Sequence, residues 1–465
     1  MIGNLHFKTI LFLLLLFIST PICAQISFYN QHYHRDSLVR GPITENPVEK
    51  RFGRGAFLFS LTELLPWTYD RFVVNADFAK ITFKGIGQNL KLSSWAWDND
   101  GFTTNQLSHP AHGSIFFNTF RSNGYNFWQS IPAAVAGSYI WEVAGENQAS
   151  SKNDFLNTSF GGVIIGEMVH RLAGKLINNR SRGIRRQINE SVALLINPAN
   201  GFNRLIDGKW GKVPNPMDID SSKIDLEIDA GLRNFNVNER NARFRGYGRI
   251  KLLYGSPFEN YKIPFSTITV NAEVGKDDST FVNAINLFGS IKGWPVGRSD
   301  YSRHIAVLTA NYDYILNQAF SYSGQSLKAN LFSEFGVKRK NRMNTSIGAG
   351  PILLAAIPEK YIGNGRNYDY CSGFGFNANA EININNIFFY GMTYNNGFFF
   401  TWNGNTSSFF LQSLSAELRY RFLHNLSFCT EPGYFVLREN YKSNEEVTRT
   451  YPYLKIAVKY NIRIQ

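Results

Sequence analysis

The last residues of the chain, Tyr453–Gln465, read YLKIAVKYNIRIQ and present two different faces. Every second residue from Leu454 to Ile464 is apolar, while Lys455, Lys459 and Arg463 lie on the intervening positions. A period of two places successive side chains on opposite faces of a β-strand. The stretch therefore predicts a strand with one apolar face and one polar face.

The same alternation recurs throughout residues 221–465. The clearest runs are Ile224–Leu232, Phe244–Tyr254, Ile268–Val274, Leu308–Leu316, Phe374–Ile384 and Leu414–Phe422, with weaker runs near 282–292, 326–335, 343–355, 387–400 and 426–437. Together with the terminal run, these make about twelve strands. Alternating strands in such number, with abundant aromatic residues, predict an antiparallel outer-membrane β-barrel that is apolar outside and polar inside.

Link lengths give the barrel a predicted orientation. Asn385–Asn386 and Leu423–Asn425 are short, whereas Ile357–Asn367 and Arg438–Thr450 are long and polar. Bacterial barrels have short periplasmic turns and longer external loops. We therefore expect both ends of the chain to be periplasmic.

Charges at the closure of the barrel provide a second expectation. Asp225, Glu227 and Asp229 face inward on the first strand. The two strands that would flank it carry Arg243, Arg245, Arg249, Lys251, Lys455, Lys459 and Arg463. Opposite charges on neighbouring strands contribute about 0.2–1 kcal/mol each. The seam is predicted to be complementary in charge.

The start of the chain predicts export. Lys8, the apolar run Ile10–Ile18 and the small residue Ala24 are typical of a signal peptide over residues 1–24. No later stretch offers ~20 uncharged apolar residues for a spanning helix. The net charge of +13 favours anionic lipid rather than nucleic acid as the counterpart of an exported protein. The expected partners are outer-membrane lipid and the barrel-assembly machinery, with the oligomeric state left open.

Residues 95–195 predict a helical domain, after a partly irregular segment at 25–94 and before a linker at 196–220. One apolar helix is expected over about 131–146, and a second begins at Asn153–Asp154 and runs to about Ile177. The second contains Gly161, Gly162, Gly166 and Gly174, and each glycine weakens a helix by ~1 kcal/mol relative to alanine. Such a cost predicts that another backbone packs closely there.

Acidic residues and histidines recur on these helices. Glu142 and Glu146 are four residues apart and share a helix face, and Glu167 precedes His170 by three. A Glu-x-x-His pair facing other carboxylates is raw material for a Zn²⁺, Mn²⁺ or Fe²⁺ site. The candidate catalytic residues are His109, Glu142, Glu146, Asp154 and Glu167; the candidate ligand-binding residues are His112, Arg121 and Asn153. Alternatively, these groups form a buried architectural network, because buried charges need partners.

A string of motifs in this region resembles one known family. It comprises Asn105-x₃-His109-Pro-x-His112-Gly, Trp141-Glu-x₂-Gly-Glu146, Ser151-x-Asn-Asp154 and Gly161-Gly-x₃-Gly-Glu167. The string is similar to an uncharacterised envelope family common in Bacteroidota, with a domain of unknown function, over about 95–180. The resemblance implies localisation in the cell envelope and no particular activity.

Two functions follow as expectations. The first is a non-porin outer-membrane barrel whose helical module is periplasmic or plugs the lumen, in envelope maintenance or transport. The alternative is an envelope lipid- or glycan-modifying hydrolase that uses the His/Glu/Asp cluster. A surface adhesin fits less well, because the predicted loops are modest in length.

Overall fold

The computed structural model describes residues 49–215, 220, 222–235, 243–259, 261–277, 280–319, 321–337, 339–363 and 365–464. The predicted signal peptide and the first part of the 25–94 segment lie outside these residues. Within them, a helical region precedes a sheet that closes on itself.

The sheet is a closed antiparallel barrel of twelve strands in sequential order, with β12 paired to β1. This confirms the predicted fold class. The strands are β1 Ile224–Phe235, β2 Arg245–Tyr254, β3 Ile268–Val274, β4 Val282–Arg298, β5 Ser302–Leu316, β6 Ser321–Phe335, β7 Arg342–Gly363, β8 Arg366–Ile384, β9 Phe388–Asn403, β10 Ser407–Arg421, β11 Leu426–Tyr441 and β12 Val447–Ile464.

The closure seam is complementary in charge, as predicted. Arg463 Nε lies 2.8 Å from Asp225 Oδ1, and Lys459 Nζ lies 3.0 Å from Glu227 Oε2. On the other side of β1, Arg249 Nη2 lies 2.6 Å from Asp229 Oδ2. Polar positions of these strands therefore meet on the lumen side of the wall.

The predicted sorting of long and short links is wrong. β7 and β8 remain paired up to Gly363 and Arg366, so most of the expected 357–367 loop is strand. The 438–450 loop shrinks to 442–446 for the same reason. A longer link, 255–267, lies at the barrel end where β1 begins. Polar composition does not stop a strand, because a hairpin that projects from a barrel can be polar on both faces.

The helices of the described part precede the barrel. They are α1 Phe52–Tyr69, α2 Phe83–Asn89, α3 His109–Arg121, α4 Phe127–Ala144, α5 Lys152–Leu156, α6 Gly162–Ile177, α7 Gly183–Ile196 and α8 Pro198–Ile206. α8 falls within the segment expected to be a linker, where the Asn197 side chain caps it by accepting from the Asn200 N–H. Among the described helices, none has the length and apolarity needed to cross a bilayer.

Three π-helical turns occur in the described residues; Asp70–Val74 extends α1, and the other two lie beside α3 and α6. Thr104–Ser108 leads into α3, and Asn157–Gly161 joins α5 to α6. A π turn disturbs the regular i→i+4 ladder, so nearby buried carbonyls need other partners. The Asn105 carbonyl accepts from Asn157 Nδ2 at 2.9 Å, and the Gln106 carbonyl accepts from the Tyr312 hydroxyl on β5.

The glycines of α3 and α6 allow backbone contact between the helices. A Cβ on Gly113 would lie 1.9 Å from the Thr158 carbonyl oxygen, and a Cβ on Gly162 would lie 2.6 Å from Gly113 Cα. Neither position has space for a side chain. The predicted close packing is therefore confirmed.

The helical module packs against the outer face of the barrel wall. Asp313 and Ile315 of β5 line the lumen, so the alternate residues Tyr312 and Tyr314 point outward. The outward face contributes Ile224, Tyr254, Ile268, Leu287, Ala310, Tyr312, Tyr314, Leu354, Ala356, Tyr368 and Tyr370 to one apolar core with Phe102, Phe117, Phe127, Ala134, Ile164 and Met168 of the module.

This contact runs from one end of the barrel to the other. Near the β7–β8 hairpin, Arg366 donates to the Asp98 carbonyl. At the opposite end, Lys175 Nζ donates to the Ser222 carbonyl just before β1, at 2.5 Å. The expected lumen plug is wrong: the described residues that line the lumen all belong to the barrel. A helix is about 10–12 Å across with its side chains, and charged side chains already occupy the lumen.

Candidate functional site

Four of the five candidate catalytic residues converge where α3, α4 and α5 meet. His109 begins α3, Glu142 lies in the last turn of α4, Glu146 follows that helix, and Asp154 lies in the first turn of α5. Ser151 caps α5, because its hydroxyl accepts from the Asp154 N–H at 3.2 Å. We call His109, Glu142, Glu146 and Asp154, with Asp98 and Asp100, the acidic cluster.

Hydrogen bonds fix the side chains of the cluster. His109 Nε2 lies 3.6 Å from Asp154 Oδ1, with the two side chains 15% and 6% exposed. Glu142 Oε2 accepts from the Ser151 N–H at 2.6 Å. Trp141 Nε1 donates to Glu146 Oε1 at 2.8 Å. The histidine and Glu146 remain partly open to the surface, whereas Glu142 and Asp154 are buried.

Asp98, Asp100 and Asn105 join this site although they were not among the candidates. The Asp98 N–H donates to Asn153 Oδ1 at 2.8 Å, and Asn105 Nδ2 donates to Asp98 Oδ2 at 3.1 Å. Both aspartates act on His109 electrostatically. The polar run from Asp98 to Asn118 was a sequence signal for them, but composition alone did not separate them from a loop.

The barrel contributes two hydroxyl groups to the same network. Tyr370 accepts from Asn153 Nδ2 at 2.9 Å, and Tyr368 accepts from Asn105 Nδ2 at 3.0 Å. Both tyrosines are on the outer face of β8. Sequence reasoning had no means of finding them, because they lie more than 200 residues from their partners.

The ionisation of the cluster is shifted by burial. Burial raises the pKa of Asp154 to about 7. It also raises the pKa of Glu142 well above its usual value, with the neighbouring Asp154 charge acting in the same direction. Burial lowers the pKa of His109 against the opposing effect of Glu146, Asp98 and Asp100. A neutral imidazole thus lies beside carboxyl groups that retain protons near neutral pH, the usual arrangement for acid–base chemistry.

Glu167 and two candidate ligand-binding residues lie elsewhere. Glu167 pairs with Arg121 at 2.7 Å and with Arg171 at 2.8 Å, in a buried ionic group of α3 and α6. His112 stacks on Phe116 with ring centroids 4.4 Å apart, and burial lowers its pKa to about 4. Asn153 alone of the ligand-binding candidates contacts the acidic cluster.

The metal site suggested for the Glu167–His170 pair therefore lacks the facing carboxylates that would complete it. The Glu167–His170 pair faces arginines rather than the carboxylates of α4, because α6 turns that face towards α3. Within the described ranges, no group of three or more His, Cys, Asp or Glu side chains is placed to hold a metal ion.

The lumen holds a second set of charged groups. Arg249 of β2 reaches Glu431 of β11 at 2.5 Å and Glu417 of β10 at 3.2 Å. Arg419 of β10 reaches Glu227 of β1 at 2.9 Å. These bridges join strands that are not neighbours, and they leave a cavity of about 430 Å³.

Residues 94–199 match a family model described as a domain of unknown function (DUF3943). The match includes the whole acidic cluster and less than a quarter of the chain. It agrees with the resemblance to an uncharacterised family, and it assigns no activity. No curated protein is similar enough to this chain to count as a match.

Solved structures of outer-membrane proteins align with about half of the chain. The NanC porin has 9% identity and a TM-score of 0.29 over 50% of this chain and 98% of its own. The KdgM porin has 10% identity and a TM-score of 0.25 over 51% and 98%. A loop-deletion mutant of OmpT, an outer-membrane protein of Vibrio cholerae, has 11% identity and a TM-score of 0.24 over 52% and 100%. Scores at this level support no argument about function.

Proposed function

We propose that this chain is an integral outer-membrane protein in which the barrel anchors a lipid-modifying hydrolase. The observation that carries the proposal is the convergence of His109, Asp154, Glu142 and Glu146 beside the outer face of the barrel. A site on that face meets the bilayer rather than the lumen.

Exposed apolar side chains support the membrane location. On strands that the module leaves uncovered, Leu418, Tyr420, Phe428 and Val458 are 41% or more exposed. They alternate with lumen residues such as Glu417 and Arg419. An apolar band outside and charges inside are the pattern of a barrel in lipid.

The module shares this apolar surface. Phe83, Ile184 and Leu195 are 94%, 81% and 80% exposed. Exposed apolar surface on this scale marks contact with a membrane or a partner. We infer that the module lies in the bilayer or at its surface, against the outer wall.

The orientation of the barrel in the membrane determines which leaflet the acidic cluster faces. Ile224 and Ile464 pair with each other, so β1 begins and β12 ends at the same end of the barrel. We place this end in the periplasm, as for bacterial barrels in general. The acidic cluster lies near the β7–β8 hairpin and would then face the outer leaflet.

The acidic cluster has the groups needed for one cycle of general acid–base hydrolysis. Neutral His109 accepts a proton from water, and the water oxygen attacks the ester or phosphoester centre of the substrate. Protonated Asp154 donates its proton to the leaving oxygen as the bond breaks. His109 then returns its proton to Asp154, so one water is consumed for each bond broken. Each positioned proton transfer contributes about 10²–10⁴-fold to the rate.

Transport through the lumen is the weaker candidate. Arg249 and Arg419 bridge strands on different sides of the lumen. An open pore would need this network to part. A large, permanently open conductance in planar bilayers would contradict this assignment of the lumen.

Hydrolysis of outer-membrane lipids by the purified protein tests the proposal. Vesicles of an outer-membrane lipid extract should release products with wild type, and Asp154→Asn should lower the rate by about 10²–10⁴-fold. Asp77→Asn is the matched control. Asp77 is an exposed carboxylate of the same helical module, and its ion pair among the described residues is with Lys80.

The alternative of an architectural network makes the opposite prediction. Asp154→Asn would then impair folding, seen as loss of heat-modifiable electrophoretic migration, and wild type would release no product from any envelope lipid. Full activity of a folded Asp154→Asn variant would also reject the proposed role.

A further inference from the structure

We propose that an apolar groove beside the acidic cluster holds one acyl chain of a membrane lipid, which makes an acylated lipid the substrate class. This inference rests on the proposed function, since it names what that site would act on. The groove lies between the helical module and the outer wall and has a volume of about 560 Å³.

The two sides of the groove are almost entirely apolar. Leu156 and Phe160 line it from the module, on the segment that joins α5 to α6. From the barrel, the lining includes Leu354, Phe374, Phe398, Phe400 and Trp402. All five of these aromatic residues stay 42–57% exposed, so the groove is open along its length. A slot of this kind fits a flexible hydrocarbon chain rather than a polar ligand.

Its position indicates which hydrocarbon can reach it. Phe398 and Phe400 alternate with Phe399, which lines the lumen, so the groove belongs to the outer face of β9. This face continues into the apolar band that we assign to lipid. The occupant that meets the groove there is a chain of a lipid in the same bilayer.

A chain of contacts links the groove to the acidic cluster. Trp402 lies 6.2 Å from Trp97 between ring centroids, and Trp97 lies 5.2 Å from Tyr370. The Tyr370 hydroxyl holds Asn153, which neighbours Asp154, and Leu156 follows two residues later. We infer that a lipid with one chain in the groove places its polar end on the side of His109 and Asp154.

Photolabelling of the full chain in nanodiscs tests the inference. The probe is phosphatidylethanolamine that carries a diazirine at the end of one acyl chain, diluted in unlabelled phosphatidylethanolamine. We expect labels on Leu156, Phe160 and Phe398 well above those on Phe428 and Val458, which face lipid away from the groove. Equal labelling of both sets would show annular lipid only and overturn the inference.

A variant that fills the groove with a larger side chain tests this inference separately from the proposed function. Leu156→Trp should reduce groove labelling to the level of Val458 and raise KM for long-chain substrate more than KM for a short-chain ester. Val458→Trp is the matched control and should change neither property. Asp154→Asn should lower cleavage by about 10²–10⁴-fold and keep the labelling.

The outcomes are distinguishable. Groove labelling without cleavage by wild type would reject the hydrolase and keep the lipid site. Cleavage that Leu156→Trp leaves unchanged for long-chain substrate would reject the acyl-chain groove and keep the hydrolase. Heat-modifiable migration checks that each variant is folded, and the labelling pattern of wild type needs no variant.

Discussion

The lumen and the acidic cluster both bury many charged groups, yet they differ in how the charges are balanced. In the lumen, Arg249 is within 3.2 Å of three carboxylates, and Lys459 Nζ lies 3.0 Å from Glu227 and 2.9 Å from Glu417. In the acidic cluster, several carboxyl groups surround one histidine, and no lysine or arginine of the described residues forms an ion pair with them.

The difference in charge balance indicates a different role for each region. A buried carboxylate with a cation stays ionised, and its pairing resists rearrangement. A buried carboxyl without a cation keeps its proton to a higher pH, which makes it available for proton transfer. This contrast supports the proposal that the lumen network is structural and that the acidic cluster carries the chemistry.

Breaking the lumen network is expected to have the largest effect on stability. Arg249→Ala leaves Asp229, Glu417 and Glu431 without their common partner. Removal of one member of a buried ion pair costs about 3–5 kcal/mol. Urea unfolding in lipid vesicles measures the change, with exposed Arg339→Ala as the control. If Arg249→Ala lowers the unfolding free energy by less than Arg339→Ala does, water in the lumen replaces the arginine.

The contact between α3 and α6 holds α3, which carries His109 of the acidic cluster, in place. Gly113→Ala places a methyl group against the Thr158 carbonyl, and overpacking of this kind costs about 1–3 kcal/mol. We expect a lower unfolding free energy together with weaker lipid hydrolysis, because α3 carries His109. Gly53→Ala is the control, since nothing lies within 4 Å of its added Cβ. Unchanged stability in Gly113→Ala would mean that the helices can separate freely.

The pH dependence of activity distinguishes the cluster from the lumen. Asp154 must be protonated to act as an acid, and burial raises its pKa to about 7. Above that pH, the rate should fall about tenfold per pH unit as the carboxyl loses its proton. A rate–pH profile on lipid vesicles measures this fall, and a flat profile up to pH 9 would exclude Asp154 as the acid.

Stability should respond to pH in the same direction. The folded pKa of Asp154 is higher than its unfolded value near 3.8, so the folded protein binds more protons between these two values. This contribution is present at low pH and is lost as the pH rises towards 7. Asp154→Asn should remove it from the urea-unfolding profile, whereas Asp77→Asn should not.

The smallest effect is expected at the seam. Arg463 and Asp225 are partly exposed, at 36% and 22% of their side chains. Exposed pairs contribute about 0.2–1 kcal/mol. Arg463→Gln should lower the unfolding free energy by no more than this, and Arg463→Lys should restore most of it. A loss as large as that of Arg249→Ala would mean that the seam is as buried as the middle of the lumen.

The barrel was predictable because its signal is local and repeated. Runs such as Leu454–Ile464 show the period of two directly, and closure of a twelve-strand barrel led to the expectation that the charges of β1, β2 and β12 are complementary. The long links were predicted wrongly at 357–367, since hydrogen bonding between two polar segments leaves no mark in composition. Helix spacing singled out Glu142 and Glu146, and the neighbouring polar motifs added His109 and Asp154; the fold brings these four together, whereas Asp98 and Asp100 lay unrecognised in a polar run.

The sequence by itself determined a closed sheet with an apolar and a polar face, and a glycine-rich helical domain bearing His109, Glu142, Glu146 and Asp154. Only the tertiary structure decided where that domain lies. Outward Tyr312, Tyr368 and Tyr370 look in sequence like any lipid-facing aromatic residues, and only the fold shows that their hydroxyls bond to Gln106, Asn105 and Asn153. Side-chain alternation is a property of neighbouring residues, while docking depends on contacts between groups more than 200 residues apart.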